Sequence, residues 1–253
     1  MLSAKPWRGE TVLLFCGAQV FCLFFSLILA GLLHKAGFIA FQAPDGFGAV
    51  LLSTLGFQGV TWVLIPIFLR HHQVSCRETF GFHRGQWQRT LFMVGGITLA
   101  ILPVVWGLQF ISAGVLTRIG WPPEEEQAVA LLANAKFWWM RVYLGIFAVV
   151  LAPVAEEFTF RGLLYPFVKQ LGYPRLAWVG VSLAFALIHV DAAGFVSLFV
   201  LALALTWLYE KTGDLLAPIA AHALFNAVNL VLLSFQDPLN QFLERLSHTL
   251  PHA

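Results

Sequence analysis

Long apolar runs separated by short polar turns organise this chain from end to end, at about 11–33, 47–69, 91–116, 141–168, 175–190, 194–209 and 215–234. A helix rising 1.5 Å per residue needs roughly 20 apolar residues to cross a hydrocarbon core of about 30 Å. The first four runs and the last meet that length. The fifth and sixth are short, and need a locally thinned bilayer or shelter from neighbouring helices. The runs are continuous, without the ten-residue alternating segments of a membrane β-barrel. The pattern therefore predicts an all-α, polytopic transmembrane helical bundle of about seven spans (six to eight), with residues 1–253 forming a single integral-membrane domain. The first run, at about 23 residues, exceeds a typical signal-peptide core and reads as a retained span.

A different pattern occupies the stretch "WPPEEEQAVALLANAKFWW". Pro122 and Pro123 open it, three acids fill the first turn, and apolar and polar positions then alternate with helical spacing. This predicts an interfacial amphipathic helix over 122–136 that runs into the fourth span, with Trp138 and Trp139 at headgroup level. The polar tail after Gln236 is expected to lie on the surface.

Composition agrees with the pattern. Of the 253 residues 59% are hydrophobic and 11% charged, against roughly 25% charged in a soluble domain, and the mean hydropathy is +0.78. Nine tryptophans suit a protein that places rings at lipid headgroups. A net charge of +2 gives no basis for a nucleic-acid partner; the surrounding partner is the lipid bilayer. Cys16, Cys22 and Cys76 lack metal-type spacing, and the first two read as small apolar residues of a span.

Positive charge is what changes the picture next. Lys5, Arg8, Arg70, Arg77, Arg84, Arg89, Lys169, Arg175 and Lys211 fall on one side of the predicted topology. The other side holds Lys35, then Arg118 and Lys136 beside the acids 124–126, then Asp191. The excess predicts a multi-pass protein with a cytosolic N-terminus, in the plasma (inner) membrane if the source is bacterial.

Against this apolar background a few polar residues stand out. In "VLAPVAEEFTFRGLLYPF", Glu156, Glu157 and Arg161 lie inside the fourth span, where one ionised residue costs roughly 2.5–3.5 kcal/mol at the bilayer centre. Glu157 and Arg161 are four apart on one helix face and can neutralise each other. Glu156 is rotated about 100° away and is left over. Pro153 lacks a donor, which predicts a kink just before Glu156. Phe185 and His189 lie four apart at the end of the fifth span, and His222 and Asn226 four apart near the start of the seventh, with Asn229 beyond. Singly, a histidine near a span end or an asparagine binding helices together would satisfy each case. Depth adds to the argument: Glu156 lies about 20 Å along its helix from Lys169, and His189 about 21 Å from Arg175. His222, about 12 Å from Asp214, joins them only if helix ends are staggered.

A desolvated carboxylate with a neutral imidazole can hold a water and take its proton. A second histidine and an amide supply donors suited to an oxyanion. Together they form a complete set for hydrolysing a peptide bond by water. No serine or cysteine sits in a recognisable nucleophile motif.

At these residues the chain resembles the CAAX prenyl protease and bacteriocin-processing (CPBP, or Abi) family of intramembrane proteases, whose pattern is EExxxR, FxxxH and HxxxN on successive membrane helices. Here these read "EEFTFR" at 156–161, "FALIH" at 185–189 and "HALFN" at 222–226. The resemblance covers 150–230, the family's catalytic core, and implies an endopeptidase acting on a membrane-associated peptide or protein. Prenylated tails, bacteriocin-like peptides and maturing membrane proteins all fit. By position, the resemblance implies that Glu156 and His189 activate water, that His222 and Asn226 form the oxyanion hole, and that Glu157 and Arg161 brace the site beside Phe185. The family is often classed as metalloprotease, and Glu156, His189 and His222 could ligate zinc. HExxH is absent, and the metal-free, glutamate-activated water is the favoured expectation, with no cofactor. The competing classes are a non-catalytic membrane scaffold, which would be expected to have lost a motif residue, and a proton-coupled transporter, which predicts an internal repeat that the chain lacks.

Overall fold

The computed structural model describes residues 5–41, 46–77, 81, 87–123, 130, 132, 135 and 137–249, with side chains as far as Leu233 and at Phe235. Among the described residues seven helices make up the bundle and no strand occurs: α1 Gly9–Lys35, α2 Phe47–His71, α3 Trp87–Arg118, α4 Trp138–Gln170, α5 Pro174–Ile188, α6 Phe195–Thr212 and α7 Leu216–Thr249. Six of them are long and apolar enough to cross a membrane; α5, with 15 residues, is shorter. The protein is a multi-pass integral membrane protein, and the short α5 packs against α4 and α6. The interfacial helix predicted over 122–136 lies largely outside the described residues. α7 runs on as helix to Thr249, where the sequence reading gives only a surface tail. The reason is legible afterwards: Leu239, Phe242, Leu243 and Leu246 recur at helical spacing.

Packing follows the residue sizes on each face. One core cluster gathers Phe15, Phe68, Phe158, Phe160, Leu163, Phe185 and Tyr209 from α1, α2, α4, α5 and α6. A second joins α3, α6 and α7 through Val94, Leu102, Leu201, Leu205 and Phe225. Large apolar side chains such as Phe21, Phe24, Phe92 and Phe110 point outward, as lipid demands. Close approach of α1 and α2 rests on Gly56, where a Cβ would lie 2.1 Å from Ser26 Oγ. The cysteines are free, Cys16 half-buried against the first core cluster and Cys76 exposed.

Lys5, Arg8 and Lys169 meet at one end of the bundle. The Lys5 backbone N–H donates to Gln170 Oε1 at 3.0 Å, the Arg8 N–H meets His72 Nε2 at 3.4 Å, and Lys169 pairs with Glu210. The N-terminus and the C-terminal ends of α2, α4 and α6 therefore share a face. At that face Gly213 takes the left-handed φ of +66° that closes α6, and Asp214 Oδ1 accepts the Leu216 N–H at 2.9 Å to start α7.

Helix α4 is not a regular α-helix. It widens into π turns at Phe147–Leu151 and Phe158–Leu164, and a proline follows each two residues later, Pro153 and Pro166. A proline ring clashes with the carbonyl four residues back and offers that carbonyl no N–H; a π turn relieves the crowding. The single kink read from Pro153 is thus two widened turns. The carbonyls so freed find donors on other helices. Gly162 O, which Pro166 cannot satisfy, accepts the Trp7 indole N–H at 2.9 Å. Ala152 N–H bonds back to Phe147 O, so Ala148 O faces Pro153 without a donor and accepts Asn226 Nδ2 at 2.8 Å.

Candidate active site

Between the two π turns lies the segment Ala152–Glu157, whose last two residues are the adjacent glutamates. Glu157 and Arg161 are completely buried and pair at 2.8 Å, as their spacing predicts. Arg161 is further held by Ala202 O at 3.0 Å and Thr206 Oγ1 at 3.3 Å on α6, and its guanidinium lies 4.7 Å from the Phe185 ring centroid. That cation–π contact gives Phe185 a physical task, as its ring also packs 4.7 Å from His189 and 5.7 Å from His222.

Glu156, rotated away from that pair, faces both histidines. Its Oε2 lies 4.0 Å from His189 Nε2 and 3.9 Å from His222 Nε2. The stagger in depth required of His222 is therefore realised, and three helices bring their motif residues to one point. Glu156 and His222 are buried, while 29% of the His189 side chain is exposed. His189 caps the C-terminal end of the short helix α5, far from the basic face.

Hydrogen bonding fixes the state of each ring. His189 Nδ1 sits 2.7 Å from Phe185 O, and a carbonyl only accepts, so Nδ1 carries the proton. His222 Nδ1 sits 2.9 Å from Glu157 Oε1, the same oxygen that accepts from Arg161, so it too donates. A neutral ring then presents its Nε2 lone pair towards Glu156, and a doubly protonated one presents an N–H there instead. Each Nε2 lies about 4 Å from Glu156 Oε2, a separation that one bridging water spans.

The same donors can be tested against zinc. Bonds of about 2.0–2.2 Å place tetrahedral ligand atoms roughly 3.4 Å apart, closer than the separations of 3.9 and 4.0 Å seen for Glu156. Among the described residues no three His, Cys, Asp or Glu side chains are gathered so as to hold a metal ion. As placed, Glu156, His189 and His222 do not fit a zinc ion.

The segment carrying all three motifs also matches a known family. Residues 137–228 match the family model described as type II CAAX prenyl endopeptidase Rce1-like. The Rce1-like match agrees with the resemblance drawn from the motifs, and it spans α4 to the first turns of α7. Neither curated proteins nor solved structures yield a match to the chain.

Two placements differ in detail from what spacing suggests. Asn226 has its contact with the Ala148 backbone, and one of its two amide protons is used there. Asn229 instead joins α7 to α3, accepting the Trp106 indole N–H at 2.9 Å. Sequence reading also passed over Gln58, on α2 and outside the Rce1-like segment, whose Nε2 lies 3.5 Å from Glu156 Oε1. Its signal was present, since Gln58 is the only amide in the apolar run 47–69.

Proposed function

We propose that this protein is an intramembrane endopeptidase that cleaves membrane-associated peptides of the CAAX-protease class with an activated water. The convergence of Glu156, His189 and His222, one from each motif helix, carries the reading. A water between them donates one proton to Glu156 Oε2 and the other to His189 Nε2, leaving an oxygen lone pair for the substrate carbonyl. As the new C–O bond forms, Glu156 takes the water proton. On collapse of the tetrahedral intermediate the C–N bond breaks, and Glu156 returns that proton to the leaving amine.

The oxyanion is met by His222 and by the second amide proton of Asn226. To donate from Nε2, His222 must hold both ring protons. The charges of Glu156, Glu157, Arg161 and His222 then sum to zero, which suits a buried cluster. The positive residues gathered on one face support a cytosolic N-terminus.

The experiment is cleavage of a fluorogenic peptide with a prenylated cysteine near its C-terminus, by purified protein in nanodiscs. Turnover is expected for the natural sequence and is lost in Glu156→Gln. Its rate falls towards acid pH, because a protonated carboxyl cannot accept the water proton and a doubly protonated His189 cannot accept either. Equal turnover by Glu156→Gln rejects the proposal.

A further inference from the structure

We infer that Gln58 is a positioning residue for Glu156, holding one carboxylate oxygen so that the other faces the two imidazoles; this rests on the proposed role of Glu156 as base. The geometry divides the carboxylate. Gln58 Nε2 donates to Oε1 at 3.5 Å, while Oε2 is the atom facing His189 and His222. A carboxylate that rotates freely about its terminal bond would present either oxygen, whereas a donor on one oxygen selects a single orientation.

The local structure of α2 is built around this contact. Gln58 lies in a π turn, Leu55–Gly59, which packs against the Ala152–Glu157 turn of α4. Such turns re-aim one side chain within an otherwise regular helix. The same turn contains Gly56, whose missing side chain lets α2 press against Ser26 and Cys22 of α1. At four-residue steps on either side, Thr54 Oγ1 meets Tyr143 OH at 3.1 Å and Trp62 Nε1 donates to Leu151 O at 3.3 Å. Both partners lie on α4, so this stretch of α2 is pinned to the helix that carries Glu156.

The amide is also a neutral donor in a charged neighbourhood. Glu156 is faced by His189 from α5 and by His222 from α7, and it shares its own helix with the buried Glu157–Arg161 pair. From α2 it receives Gln58, which supports the carboxylate without adding charge. Loss of that donor frees the carboxylate to rotate.

The test follows the Glu156 carboxyl directly. Infrared spectra in nanodiscs, with the Glu156 carboxyl band assigned by its disappearance in Glu156→Gln, are compared for the natural sequence, Gln58→Leu and Thr54→Val. We expect the band to shift in Gln58→Leu, where the carboxylate loses its amide donor, and to stay unchanged in Thr54→Val, which removes a neighbouring α2–α4 contact. In the peptide assay Gln58→Leu should lower kcat about tenfold and leave KM within about twofold. A folded Gln58→Leu protein with an unshifted band overturns the inference. If Gln58→Leu does not fold, Gln58→Met takes its place under the same criteria. Absence of peptide cleavage by the natural sequence would reject the protease reading alone, since the carboxyl band reads the positioning contact without it.

Discussion

His222 Nδ1 and Glu157 Oε1 lie 2.9 Å apart in the buried centre of the bundle, so Glu157 serves a histidine as well as Arg161. The arginine pairing follows from i, i+4 spacing on one helix. The histidine contact joins α4 to α7 and decides which ring nitrogen of His222 faces Glu156.

Replacing Glu157 with Gln should therefore damage two things at once. Arg161 becomes a buried charge without its partner, at a cost of about 3–5 kcal/mol. His222 also loses the carboxylate that accepts from Nδ1 and balances its second proton, and kcat should fall by roughly a hundred- to a thousandfold. Thermal unfolding and peptide turnover measured on the same preparation check both. A stable, active Glu157→Gln protein would show that Arg161 and His222 are held by other means.

Glu156→Ala should separate function from stability. It removes the base and leaves the Glu157–Arg161 pair intact, so turnover should vanish while the melting temperature in detergent changes little. Arg161→Ala strands Glu157, and should lower stability by about 3–5 kcal/mol. The comparison is decided by rank: a Glu156→Ala protein less stable than Arg161→Ala would reverse this division of labour.

Asn226 has a structural partner as well as a proposed catalytic one. Asn226→Leu should cost about 1–3 kcal/mol, because Ala148 O then loses its side-chain donor inside the bundle. Adding Pro153→Ala restores an N–H at the position that Ala148 O faces. The double variant should regain part of the stability but none of the turnover, if the second amide proton serves the oxyanion. Recovery of both would assign Asn226 a structural role only.

Removal of metal tests the chemistry of the water. Purified protein should carry no stoichiometric zinc and should keep its turnover after prolonged chelation, since Glu156 and His189 supply the base. One equivalent of zinc, whose loss abolishes turnover and whose return restores it, would replace this mechanism with one in which the ion lowers the pKa of its bound water.

Much of this protein was written in one dimension. Apolar run length against bilayer thickness is a local property, and it determined the helices, down to the short α5 that ends at His189. The i, i+4 spacing determined the Glu157–Arg161 pair and left Glu156 free to face elsewhere, and three motifs on the fourth, fifth and seventh helices marked the residues that converge. What the sequence could not determine depends on how helices rotate and slide against one another. Pro153 announces a missing donor, but only the packed bundle shows that α4 widens twice and that Asn226 and Trp7 supply the freed carbonyls. Gln58 is an unremarked amide until α2 turns it towards Glu156 from the other half of the chain. His222 has two nitrogens, and only its distance from Glu157, 65 residues away, selects between them. A helix encodes its own faces in its spacing; which face meets which is decided by close packing among all seven.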